Sequence, residues 1–113
     1  MTVSQEVAYI QKRYSRSVAN VFIKLRKAAG CTSYEDFAFT HDFPRAQYWR
    51  VETGKANLTF RTLSKLLAIH NMKLDEFLQQ VIEEYKRDEK NFKNGNDDLS
   101  DKIESKIGTL IGT

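Results

Sequence analysis

SYEDFAFTHDFPRAQYWRVETG, Ser33 to Gly54, is the stretch whose reading decides the fold. Ser33 suits an N-cap, because its hydroxyl oxygen can accept a backbone N–H of a first helical turn. Phe37 and Ala38 then face inward from a short helix. The pattern breaks at His41-Asp42-Phe43-Pro44. Pro44 fits the first turn of a second helix, where its missing N–H costs nothing, and it pushes Phe43 out of the α region. In that second helix Tyr48 and Val51 share a face at i, i+3, which leaves Arg45, Ala46, Trp49 and Arg50 pointing away from the core. Two short helices joined at a sharp turn make a helix-turn-helix unit.

Upstream, Val7, Ile10 and Tyr14 recur at helical spacing among Gln, Lys and Arg, and Val18, Val21, Phe22 and Leu25 continue the rhythm. One long helix would satisfy this pattern. Ser15 and Ser17 offer a fresh start, and the reading favoured is a helix from about Ser17 to Ala29 preceded by a helical arm over residues 1–16. Gly30 is a natural stop. Downstream, Thr59 is a plausible N-cap for a helix with Leu63, Leu66, Leu67 and Ile69 on one face, and Asn71 suits the left-handed stop after His70. A last helix runs from Lys73 to about Lys86, with Leu74, Phe77, Leu78, Val81, Ile82 and Tyr85 as a wide apolar stripe. Residues 86–98 are charged and contain Asn-Gly-Asn, a fraying helix end and a linker. An amphipathic rhythm returns at Leu99, Ile103, Ile107, Leu110 and Ile111, in a segment too short to be a stable helix alone. The chain therefore divides into an arm (1–16), a helical domain (17–86), and a charged linker with a short tail (87–113).

At 113 residues and 41% hydrophobic content, one modest core is expected, with limited stability. No apolar run approaches the ~20 residues that span a bilayer, and the first residues lack the apolar stretch of a signal peptide. The single cysteine, Cys31, excludes an internal disulfide. These features lead us to expect a soluble, cytoplasmic protein. The net charge of +3 is unevenly spread. Residues 1–16 carry three Lys/Arg and one acid, residues 17–82 carry nine and six, and residues 83–113 carry six and eight. The positive excess thus lies in the folded part and its lead-in, which suits a nucleic-acid partner, and the tail is acidic.

The segment from about Val18 to Phe77 resembles the Cro/CI repressor-type, or XRE-type, helix-turn-helix family. The residues that carry the resemblance are Leu25-Arg26-Lys27, Gly30, Ser33-x-x-x-Phe37-Ala38, Phe43, Arg45, Tyr48-x-x-Val51-Glu52-x-Gly54-Lys55, Thr59-x-x-x-Leu63-x-x-Leu66 and Leu74-Asp75-Glu76-Phe77. No single piece is specific; the ordered set is. The resemblance implies an all-α fold, a compact five-helix bundle whose third helix enters the DNA major groove, and action as a dimeric regulator on near-palindromic operators. Carried over by position, it puts Arg45, Ala46 and Arg50 against base edges, with Gln47 and Trp49 flanking them. Tyr34 falls where the family often has a phosphate-binding Gln, and Lys55, Asn57, Thr59 and Arg61 match the loop and helix start that grip the backbone. Glu52 matches a glutamate with a structural role. The chain departs from the pattern at His41, where an apolar residue is preferred, at Asp42, where the turn prefers Gly, and in the bulk of Trp49.

The residue types fit that chemistry. An Arg fork can bond guanine O6 and N7 together, and Ala46 suits a thymine methyl. Backbone N–H groups at the helix starts near Tyr34 and Phe60 can bind phosphate oxygens, while Lys55 and Arg61 add affinity without sequence information. Blander readings stand beside these. Arg45 and Arg50 also fit a solvated face, paired with Asp42 or Glu52, though the ordered match favours contact with nucleic acid. Trp49 has three open roles: a DNA contact, a cap on the core edge, or a protein contact. His41 reads as a partly buried polar residue, His70 as a helix C-terminal residue favoured by the helix dipole, and Cys31 as an apolar filler. No Cys/His cluster has metal spacing, and there is no Gly-rich phosphate loop or nucleophile motif. We expect no catalysis, no metal and no cofactor. Two functions of different class follow: a homodimeric transcription regulator, acting as a repressor on double-stranded DNA with Val81, Ile82 and Tyr85 at the dimer interface, or an antitoxin or adaptor that binds a protein partner through its tail.

Overall fold

Thr2 opens the first helix with a reciprocal cap. Its Oγ1 accepts the Gln5 N–H at 3.2 Å, and Gln5 Oε1 accepts the Thr2 N–H at 2.9 Å. From there α1 winds without a break from Val3 to Ala28. The structure is a computed structural model and describes residues 2–94, the side chains of 91–94 excepted. Within it follow α2 (Tyr34–Thr40), α3 (Arg45–Glu52), α4 (Phe60–Ile69) and α5 (Leu74–Asn94), with no strand among the described residues. The fold is all-α.

The fresh start favoured at Ser15–Ser17 does not occur. Ser17 is buried, and its hydroxyl donates to the Arg13 carbonyl one turn back at 3.2 Å, so it is satisfied inside the helix instead of capping a new one. The arm and the first domain helix are one element, and the division at 16–17 falls in its middle. At the other end, α5 runs past Lys86 to Asn94. The linker from Gly95 and the amphipathic tail at Leu99, Ile103, Ile107, Leu110 and Ile111 lie outside the described residues.

Four helices end with the same device. The left-handed position is taken by Gly30 (φ 87°), Asp42 (φ 51°), Gly54 (φ 72°) and Asn71 (φ 50°). In each case the next residue donates its N–H five residues back. Cys31 bonds the Arg26 carbonyl, Phe43 that of Ala38, Lys55 that of Arg50 and Met72 that of Leu67. Asp42 and Asn71 hold this position without being glycine, as short polar residues tolerate it better than other side chains do. At three of the four stops the residue after the turn is apolar and packs inward: Cys31 and Phe43 into the core, Met72 against it. After α3 it is Lys55, which is exposed.

The core gathers one face from every helix: Val21 and Phe22 of α1, Phe37 and Ala38 of α2, Tyr48 and Val51 of α3, Leu66 and Leu67 of α4, and Phe77 of α5. Phe37 stacks on Tyr48 with ring centroids 4.4 Å apart, Phe43 meets Tyr48 edge-on at 5.7 Å, and Phe22 packs on Phe77 at 5.0 Å. Helix α5 lies antiparallel on α1. Lys24 pairs with Glu84, Tyr14 packs on Tyr85, and Arg13 and Arg16 reach Asp88 at 3.9 and 3.4 Å. The buried Arg13 guanidinium also lies 4.7 Å over the Tyr85 ring.

His70 departs from its dipole reading. It caps α4, but its ring stacks on Phe37 at 5.2 Å, and Nε2 is buried with no hydrogen-bond partner among the described residues. Burial, and after it the charge of nearby His41, lower its pKa from the ordinary value. The unfolded chain therefore takes up a proton at higher pH than the folded one. Stability is expected to fall as pH drops below about 6.5, the unfolded value. Urea midpoints measured from pH 7.5 to 5.0 check this: they should decline in the natural chain and flatten in His70→Phe, which keeps the stack and removes the titration.

Candidate functional site

Three inward residues set the orientation of α3. Tyr48 is wholly buried, Val51 is 2% exposed, and the Glu52 carboxylate accepts the Arg26 Nε–H at 2.6 Å, with both side chains 8% exposed. Arg26 Nη1 also donates to the Cys31 carbonyl at 3.0 Å. One guanidinium thereby ties the end of α1, the turn after it and the last residue of α3. Burial first, and the Glu52 carboxylate second, push the Tyr48 phenol well above its ordinary pKa, so it stays neutral. Glu52 has the structural role the resemblance implied, and its partner is Arg26, not Arg50.

At 100° per residue, those three positions leave Ala46 and Arg50 pointing straight out of the bundle, with Arg45 and Trp49 on one flank and Gln47 on the other. Arg45, Ala46, Gln47 and Arg50 are exposed and Trp49 is half-buried. The start of α3 has no side-chain cap and no acid in its first turn. Its first N–H groups therefore have no partner within the helix and give that end a positive potential. Arg45 is not fully free. Tyr34 first, and Glu35 after it, raise its pKa, and its Nη2 lies 3.5 Å from Glu35 Oε2.

The phosphate candidates divide. Lys55 is exposed beside α3, with Nζ 4.9 Å over the Trp49 ring, which gives both side chains a definite place at the edge of that face. Arg61 is exposed in the first turn of α4, whose start carries no acid. Thr59 accepts the Thr62 N–H and serves as the cap of α4. Asn57 lines a groove between its loop and α1. Tyr34 packs against the core, and α2 begins with Glu35 and Asp36, so that helix start repels phosphate. Among the proposed dimer residues, Val81 packs against the core, Tyr85 is engaged by Tyr14 and Arg13, and Ile82 is 45% exposed in line with Leu78 at 46%.

The fold brings two further basic residues here, outside the set expected from the sequence. Lys12 and Arg16, one turn apart on α1, line a concavity with Lys55 and Thr53. Their i, i+4 spacing was visible; their position beside the loop after α3 depends on α1 being continuous. Phe39 and Phe60 are 89% and 84% exposed, and packing does not account for either. Among the described residues, no group of three or more His, Cys, Asp or Glu could hold a metal ion, and no helix is long and apolar enough to cross a membrane. Compared with protein-family models, with curated proteins and with solved structures, the chain has no significant match.

Proposed function

We propose that this chain is a sequence-specific DNA-binding regulator of transcription that works as a homodimer, inserts α3 into the major groove and represses by occupying its operator. The observation that carries this is the two-sided character of α3. Its inner face is fixed by Tyr48, Val51 and the Arg26–Glu52 pair, while its outer face offers Ala46 and Arg50 between Arg45, Gln47 and Trp49. A helix held this firmly can bring a few side chains to base edges in a reproducible register. Lys55, Arg61 and the α1 residues Lys12 and Arg16 lie outside the outer face as backbone contacts, which add affinity and no sequence preference. The XRE-type resemblance supports the same arrangement. We further propose Ile82 and Leu78, the exposed line of α5, as the centre of the dimer contact, which would hold two copies of α3 roughly 34 Å apart, one helical turn of DNA.

The competing reading, a protein-binding antitoxin or adaptor, draws on the half-exposed apolar residues of α1 and α5. Selection from random DNA duplexes at near-physiological salt separates the two. The expected result is a two-fold symmetric enriched site with half-sites about one turn apart. No enrichment, with only weak salt-sensitive binding, overturns the regulator and favours the partner-binding module.

A further inference from the structure

An apolar groove of about 430 Å³ runs between the first half of α1 and the loop after α3. Val7, Ile10, Tyr14 and Val18 form its α1 wall, and Ala56 and Leu58 form the other. Val7 and Tyr14 stand 53% and 48% exposed. A stripe of this length on the surface of a small domain marks a surface that something covers.

We infer that residues 99–111 of the same chain fill this groove. Position is the first argument. The antiparallel register set by Lys24–Glu84, Tyr14–Tyr85 and Arg13–Asp88 carries the last turn of α5, ending at Asn94, toward the Val7 end of α1. Four residues, Gly95-Asn96-Asp97-Asp98, then span up to about 13 Å, enough to reverse direction. Size and pattern follow. Leu99, Ile103 and Ile107 recur every fourth residue, with Leu110 next, a single apolar stripe. Thirteen residues make about 20 Å of helix, against about 17 Å from Val7 to Val18 along α1. Charge agrees. Residues 95–113 carry four acids and two lysines, and Lys12 and Lys55 line the neighbouring concavity, which meets the groove at Gly54. A reversal between Asn94 and Leu99 sets the direction of the docked segment: Leu99 enters at Val7, and Leu110 reaches Val18, near where Gly54 and the loop after it meet Ser15 and Arg16. The docked segment covers Asn57 and crowds Lys55, and so holds the chain in a form with reduced access to DNA. That last consequence alone rests on the proposed function.

The test uses the full chain in a Cys31→Ala background, with a nitroxide on Ser100→Cys or on Thr109→Cys, in dilute isotope-labelled protein. The Ser100 label should broaden amides near Val7 and Ile10, and the Thr109 label those of residues 54–58. Ile103→Glu with Ile107→Glu should abolish both. No broadening in the groove overturns the inference. So does broadening seen only when the nitroxide sits on a separate, isotope-silent copy, which would make a second molecule the occupant. A chain ending at Asp98 needs no substitution in the core: its amide resonances should move along Val7–Val18 and Ala56–Leu58 and stay in place in α4, and unmoved groove resonances also overturn it. On a selected operator that shortened chain should bind roughly tenfold more tightly, within the usual span of coupling between two sites. A chain that shows the broadening and binds no DNA retains the docking and loses only the regulator.

Discussion

Glu52→Ala is expected to lower the stability of the fold by about 3–5 kcal/mol, the usual cost of removing one member of a buried ion pair. Arg26 would remain 7% exposed with its charge uncompensated, bonded only to the Cys31 carbonyl. For a domain of this size that corresponds to a fall in Tm of more than about 10 °C, readable by circular dichroism. The pair itself is not expected to be a large net stabiliser, because desolvating two charges offsets most of their attraction. Arg26→Met combined with Glu52→Leu should therefore recover most of the loss. A fall below about 1 kcal/mol for Glu52→Ala would mean that the pair behaves as a surface contact. Glu52 is the last residue of α3, so the single substitution also frees the end of the proposed recognition helix, while the double substitution holds it by packing alone.

Arg50→Ala should weaken binding to a selected operator by roughly tenfold to a hundredfold, the value of one good bidentate base contact, and should relax the preference at one base pair. Lys55→Ala should act differently. A phosphate contact is indifferent to sequence, so affinity should fall on every duplex and the slope of log K against log salt should become shallower by about one. Both side chains are exposed, so neither substitution should shift Tm appreciably. Competition binding on operator and scrambled duplexes at several salt concentrations reads both. Equal, sequence-independent losses from the two variants would overturn the assigned roles.

Much of the fold was legible because its boundaries are local. Ser33 and Thr59 cap by accepting an N–H three residues on, and Gly30, Asp42 and Asn71 stop helices through a conformation that few residues tolerate. Phe37, Ala38, Tyr48 and Val51 could be turned inward from spacing alone. The misreadings share one cause: they depend on neighbours far along the chain. Ser17 looked like a start because a serine that bonds its own helix and a serine that caps one are identical in sequence. One turn before it, Arg13 pairs with Asp88 of α5, seventy-five residues later in the chain. His70 read as an ordinary helix C-terminal residue, which its place at the end of α4 matches, but the aromatic rings that bury it come from α1 and α2. In the candidate site, the outward face of α3 was readable from period and resemblance. The Glu35 and Tyr34 hold on Arg45, and the arrival of Lys12 and Arg16 beside Lys55, were not, since both need the angle between helices.

The four matching helix stops bear on how the chain reaches this state. Each reversal is closed by a hydrogen bond spanning five residues, so the direction changes after α1, α2, α3 and α4 are set by nearest neighbours before any distant contact exists. A helical chain organised in this way has low contact order, and chains of that kind fold in microseconds to milliseconds. The exception is α5, whose partners on α1 lie sixty to seventy-five residues away. Closing that loop carries the largest loop entropy of these contacts, so substitutions at the α1–α5 contact, Arg13, Glu84 and Asp88 among them, are expected to change the folding rate more than substitutions at the helix stops.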